Sequence, residues 1–106
     1  MDIQIRHDDN IPGDINDRLL PIIRDAFERY SSQITTVEVH LADENGPKKS
    51  EGDIRCSIEV RVENRKPTAV TANANDVWTA VDVAADKMLK KLDHEIGRLR
   101  DFTVGS

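Results

Sequence analysis

One cysteine in 106 residues, Cys56, leaves no internal disulfide and no CxxC or zinc-type cluster, so neither cross-link nor structural metal is expected and a reducing compartment suits the chain. Aromatic residues are scarce at 4%. None of the alternating segments carries the exposed aromatic pair on which a base-reading sheet stacks single-stranded RNA. There is no long apolar run, and the opening MDIQIRHDDN has neither a basic n-region nor an apolar h-region, so the chain reads as cytoplasmic, without signal peptide or membrane span. Only four Pro and five Gly, beside 38% hydrophobic and 33% charged residues, set the composition apart from a disordered segment. Positive charge is in deficit: 15 Lys and Arg against 20 Asp and Glu give a net charge of −5. Casual binding to nucleic acid is therefore disfavoured, and any such role must rest on a local basic face.

What is present is clear periodicity. Met1 to His7 alternates Ile3, Ile5 and His7 with Asp2, Gln4 and Arg6, which predicts a first strand. After the turn residues DDNIPGD, Asp14 or Asn16 can cap a first helix in which Leu19, Leu20, Ile23, Ala26, Phe27 and Tyr30 recur at threes and fours. Pro21 lacks an N–H and clashes with the carbonyl four residues back, so a kink is expected, or a helix that begins near Leu20. Ile34 to Ala42 predicts a second strand with Val37, Val39 and Leu41 on one face, and DENGPKKSEG a polar hairpin connection. Asp53 to Val62 predicts a third strand that sets Ile54, Cys56, Ile58, Val60 and Val62 against Arg55, Ser57, Glu59 and Arg61. Thr68 to Asn73 makes a fourth, with Val70 and Ala72 inward. Asn75 or Asp76 then caps a long second helix whose apolar stripe runs through Val77, Val81, Ala84, Ala85, Met88, Leu92, Ile96 and Leu99.

The order β-α-β-β-β-α, with one apolar face on each element, predicts an α+β two-layer sandwich: a four-stranded mixed sheet with both helices packed on one face. A single domain over residues 1–102 and a frayed tail at 103–106 are expected.

At about 100° per residue, Lys87, Lys91, His94 and Arg98 fall on one stripe of the second helix with Lys90 beside them, while Asp82, Asp86 and Asp93 collect on the other flank. Cations one helical turn apart can meet successive phosphates and release counterions. The same residues can equally form ordinary i,i+4 pairs, Asp86 with Lys90 and Lys91 with Glu95. Chemistry of other kinds finds no support. His7, His40 and His94 lie on different elements without ligand spacing, so no metal is expected. Cys56 sits among inward Ile and Val, Asp8-Asp9 and Asp43-Glu44 lie in polar turns, and GPKKSEG lacks the spacing of a phosphate loop. No base, nucleophile or cofactor site emerges, and the chain is expected not to be an enzyme. Trp78 is placed at the margin of the apolar stripe, as an aromatic lid on the core.

One segment is more specific. The run Asn75-Asp76-Val77-Trp78-Thr79-Ala80-Val81-Asp82, followed by Asp86-Lys87-Met88 and Leu92, resembles the second helix of the ribosome hibernation factors, also called the sigma-54 modulation or S30AE ribosome-associated inhibitor family. There an Asp-x-aromatic-x-Ala-Ile/Val-Asp run is followed one turn on by an Asp/Asn-Lys-Leu triplet. Trp78 stands at the aromatic position and Met88 at the Leu. Ile15-Asn16-Asp17 looks like the family's Ile-Thr-x opening of helix one, and Val37-Glu38-Val39 like its second strand. The resemblance extends from Met1 to about Arg100 and is to the short form, without the C-terminal domain by which long members dimerise ribosomes.

That resemblance implies a fold related to double-stranded RNA-binding domains and a protein that binds small-subunit rRNA in the decoding region. It would block messenger and transfer RNA sterically, as a monomer off the ribosome, with no cofactor, small-molecule substrate or membrane. Lys87, Lys90 and Arg98 match basic positions of the family's second helix, Arg29 matches one near the end of its first, and Lys91 adds a charge where Gln is frequent. His94 and Ile96 stand at positions where Lys is expected, Asp93 and Glu95 add negative charge, and Leu20-Pro21 replaces a basic-polar pair. Those departures motivate an alternative: a regulatory module that keeps the fold and binds a protein instead of the ribosome.

Overall fold

The period-two segments form strands β1 (Asp2–His7), β2 (Ile34–Asp43), β3 (Ile54–Val62) and β4 (Thr68–Ala74), and the threes-and-fours segments form helices α1 (Ile15–Phe27) and α2 (Val77–Leu92). The computed structural model describes residues 1–9, 11, 13–44 and 54–97. Most of the DENGPKKSEG connection, Arg98, Leu99 and the 103–106 tail lie outside the described residues.

The strands lie in the order β1-β2-β3-β4. β1 runs parallel to β2, with Ile3 opposite Val37 and Ile5 opposite Val39. A parallel neighbour cannot be reached by a tight turn, so the chain crosses through α1 between them. β2, β3 and β4 follow as an antiparallel meander in which Val39 faces Ile58, Leu41 faces Cys56, and Cys56 faces Ala72. This register places every inward residue of the central strands on one face, where Val37, Leu41, Cys56, Ile58 and Val60 are fully buried. At the β3–β4 turn Asn64 takes a positive φ of 64°, a conformation that Asn tolerates better than most residues, and the Arg65 amide donates to the Val62 carbonyl.

Both helices cover that face. α1 contributes Ile15, Leu19, Ile23 and Phe27, and α2 contributes Ala80, Val81, Ala84, Ala85, Met88 and Leu92. Each helix continues past its regular end. A 3₁₀ turn at Glu28–Tyr30 buries Tyr30, and a π turn at Asp93–Gly97 buries Ile96.

Two expectations about α1 are corrected. The helix does not begin near Leu20: it runs unbroken from Ile15 to Phe27 with Pro21 inside it. The missing hydrogen bond and ring clash cost about 3 kcal/mol, but starting later would forfeit burial of Ile15 and Leu19, each worth roughly 1.5–3 kcal/mol. The ring of Pro21 points to solvent. Capping is also different. Asp14 holds the N-cap position without a side-chain cap bond, while Asn16, inside the helix, donates Nδ2 to the Ile5 carbonyl at 3.3 Å and pins α1 to β1.

Candidate nucleic-acid interface

Helix α2 starts at Asp76, whose backbone is still extended (φ −142°, ψ 164°). Its carboxylate accepts from the Thr79 amide at 2.9 Å and from the Thr79 hydroxyl at 3.0 Å, satisfying one of the unpaired donors of the first turn. These bonds, the backbone one first, hold the Asp76 carboxyl below the usual carboxylate range. Two residues on, Trp78 is 38% exposed, and the Arg18 guanidinium lies 4.8 Å from its ring centre. Trp78 therefore does not close the core. It stands at the rim of an open groove of about 420 Å³ between the helices, with Leu19, Ile22, Ala26, Val81 and Ala85 among its walls. Contacts between Arg18 and Trp78 near the helix starts, and between Arg29 and Asp93 near their ends, show that α1 and α2 run side by side in the same direction.

Among the described residues, the cations expected at an RNA surface are gathered along this layer, and each already has an internal contact. Lys87 Nζ donates to the Thr71 carbonyl at 2.9 Å, and Lys91 Nζ reaches the Ala69 carbonyl at 3.4 Å. Both oxygens belong to β4, an edge strand, so the two ammonium groups sit over the open side of the sheet, a placement that discourages pairing with another chain. Lys90 pairs with Asp86 at 3.1 Å, one turn back along the helix. The Lys91–Glu95 pair that the spacing also permitted is not made, because Lys91 is turned toward β4 instead.

Arg29 reaches across from the end of α1. Its Nη2 lies 2.5 Å from Asp93 Oδ1, its guanidinium is 5.0 Å from the centre of the Tyr30 ring, and the Tyr30 hydroxyl donates to the same Asp93 oxygen. Arg98 lies outside the described residues. Four of the five basic residues predicted from sequence thus lie on one helical layer, Lys87, Lys90 and Lys91 along α2 and Arg29 beside its end. The sequence offered no sign of the Arg29–Tyr30–Asp93 junction, whose members are 63 and 64 positions apart.

Burial among the core residues pushes the Cys56 thiol up to about 12, so it is neither a nucleophile nor a ready metal ligand near neutral pH. Among the described residues no three His, Cys, Asp or Glu side chains converge on a metal position, and no helix is long and apolar enough to cross a membrane.

The sequence from residue 3 to residue 100 matches the family described as sigma 54 modulation protein / S30EA ribosomal protein. The chain belongs to that family. Several solved structures share its fold. A ribosomal subunit interface protein from Coxiella burnetii superposes with a TM-score of 0.69 at 15% identity, over 92% of this chain and 99% of that one. The N-terminal domain of Protein Y from Thermus thermophilus superposes with a TM-score of 0.68 at 18% identity, over 89% and 98%. No curated protein matches the chain by sequence. The Asp76-to-Asp82 run stands at the start of α2, where the Asp76 cap and the Arg18–Trp78 stack are built, and family membership makes this a ribosome-associated modulation protein in class.

Proposed function

We propose that this protein binds the small ribosomal subunit in its decoding region through rRNA phosphates and halts translation by occupying the path of messenger and transfer RNA. The observation that carries the proposal is the family match across residues 3–100, joined to a helical layer that gathers Lys87, Lys90, Lys91 and Arg29 on one side of an otherwise acidic chain. The work required is electrostatic and steric. Each lysine meets a phosphate as a point charge and releases counterions, while the rigid two-layer body fills the channel. Engagement trades weak internal contacts for stronger external ones. An exposed ion pair such as Lys90–Asp86 is worth only about 0.2–1 kcal/mol, so a polyanion can displace it at small cost. Arg98 is included as a contact on the family pattern alone.

The experiment is chemical footprinting of small-subunit rRNA with and without the protein, paired with competition against messenger and initiator transfer RNA. Protection confined to the decoding region and loss of transfer-RNA binding support the proposal. Protection elsewhere, or undisturbed transfer-RNA binding at saturating protein, contradicts it. The groove between the helices favours one alternative reading, a module that docks an apolar protein segment beside the exposed Ile22 and Trp78. Under that reading a non-ribosomal protein is recovered from lysate, its recovery survives RNase, and Ile22→Ser abolishes it.

A further inference from the structure

Arg29, Tyr30 and Asp93 form a junction that stability alone does not explain. Arg29 and Asp93 are 58% and 49% exposed at their side chains, so their ion pair is solvated and contributes little to folding. Yet the geometry is specific. A guanidinium N–H and a phenolic O–H converge on a single carboxylate oxygen, Asp93 Oδ1. The guanidinium is held over the Tyr30 ring, and the body of that ring is buried in the core, so the hydroxyl is fixed in place. Two donors meeting at one anionic oxygen, with an aromatic plane beneath the guanidinium, are also what a non-bridging oxygen of a phosphodiester requires. The carboxylate belongs to the π turn that follows α2, on the same layer as Lys87, Lys90 and Lys91.

We infer that Arg29 and the Tyr30 hydroxyl form a binding site for one RNA phosphate, and that Asp93 occupies this site in the free protein as an internal competitor. The inference rests on the ribosome reading above and deepens it, adding Tyr30 as a contact and Asp93 as an attenuator of affinity. In the free state the Asp93 carboxylate takes the place of the phosphate oxygen. On RNA, the phosphate must displace a negative group fixed nearby, so Arg29 adds less than a free arginine, and the carboxylate repels the backbone it faces. Asp93 therefore lowers affinity without blocking the interface, which suits a protein that must leave the ribosome as well as bind it.

The test uses Asp93→Asn, which keeps the side-chain shape and the acceptor for Tyr30 while removing the charge, beside Arg29→Gln, the double variant, and Asp82→Asn as a charge control on the same flank about three turns back along α2. Each is confirmed folded by circular dichroism and titrated with purified small subunits across a salt series. Asp93→Asn is expected to bind about two- to fivefold tighter than wild type, the range that release of an exposed ion pair allows. Its log K against log salt plot should steepen by up to about 0.7–0.9, the increment of one phosphate that Arg29 neutralises fully once no carboxylate shares its charge. Both gains should vanish in the Arg29→Gln background and be absent from Asp82→Asn. Unchanged affinity and slope in Asp93→Asn overturn the inference while leaving ribosome binding intact. An equal gain with or without Arg29 also overturns it, by reducing the effect to net charge. Failure of wild type and Asp93→Asn alike to bind at low salt refutes the ribosome reading itself.

Discussion

Replacing Pro21 with Ala should stabilise the protein substantially without altering its interface. Pro21 lies seven residues into α1, beyond the first turn where a missing N–H is harmless, so the Asp17 carbonyl receives no bond from it. Its ring is exposed and fills no cavity. Pro is less favourable than Ala by about 3 kcal/mol in a helix interior, while its stiffening of the unfolded chain returns about 0.4–1 kcal/mol, so the net gain from Pro21→Ala is about 2 kcal/mol. For a domain of this size that corresponds to a rise in Tm of roughly 10 °C. Thermal unfolding followed at 222 nm, with urea titration to give ΔG separately, measures it. Because α1 already runs continuously to Phe27, Arg29 should not move, and affinity for small subunits should match wild type. A Tm that falls or stays unchanged would mean instead that the chain relies on a bend at Pro21.

Other outcomes follow from the ionisable groups. Cys56 should resist thiol reagents at pH 8 in the native state and react at once in denaturant, because its buried thiol is pushed up to about 12. Its alkaline signature has a definite sign: the unfolded thiol ionises near 9.0 while the folded one does not, so stability should fall as pH rises from 9.0 toward 12, and Cys56→Ala should remove that component. Asp76 acts at the other end of the scale. Its folded carboxyl lies below the ordinary 3.8, so its contribution is complete above that value and is lost as pH falls through the lowered folded value; Asp76→Asn, which can still cap, should flatten the acid limb of the stability profile.

The fold was legible because its signals are local. Alternation in Val37 to Leu41 and in Ile54 to Val62 marked the buried face of each central strand, and the Val81, Ala84, Ala85, Met88 and Leu92 spacing marked that of α2. Asp76 was recognisable as a cap for the same reason: donor and acceptor are three residues apart. At α1 a local rule meets a tertiary one, and only the expectation of a start near Leu20 fails. The Pro21 penalty is real, but burial of Ile15 and Leu19 against the sheet outweighs it, and that burial depends on strands not yet formed when the helix is read alone.

The candidate site is legible in the sequence as a list of basic residues, and not as an arrangement. Helical periodicity put Lys87 and Lys91 on one stripe and offered Asp86 to Lys90, which pairs as the spacing allowed. It could not indicate that Lys87 and Lys91 bend back over β4, nor that Arg29 meets Asp93, because both facts depend on how α2 lies against the sheet edge and against α1. The exposure of Trp78 is hidden in the sequence for a related reason: the stripe angle of one helix does not reveal a groove whose opposite wall is another helix.

Ribosome binding through the basic layer of α2 can be read from co-sedimentation with purified small subunits over a salt series. Wild type should pellet stoichiometrically at low salt and lose affinity steeply as salt rises. The folded triple variant Lys87→Glu, Lys90→Glu, Lys91→Glu should remain in the supernatant, any residual binding having a salt slope shallower by about 2–3 for the three lost phosphate contacts. Wild type left in the supernatant at low salt, or a folded triple variant that pellets as wild type does, would contradict the account.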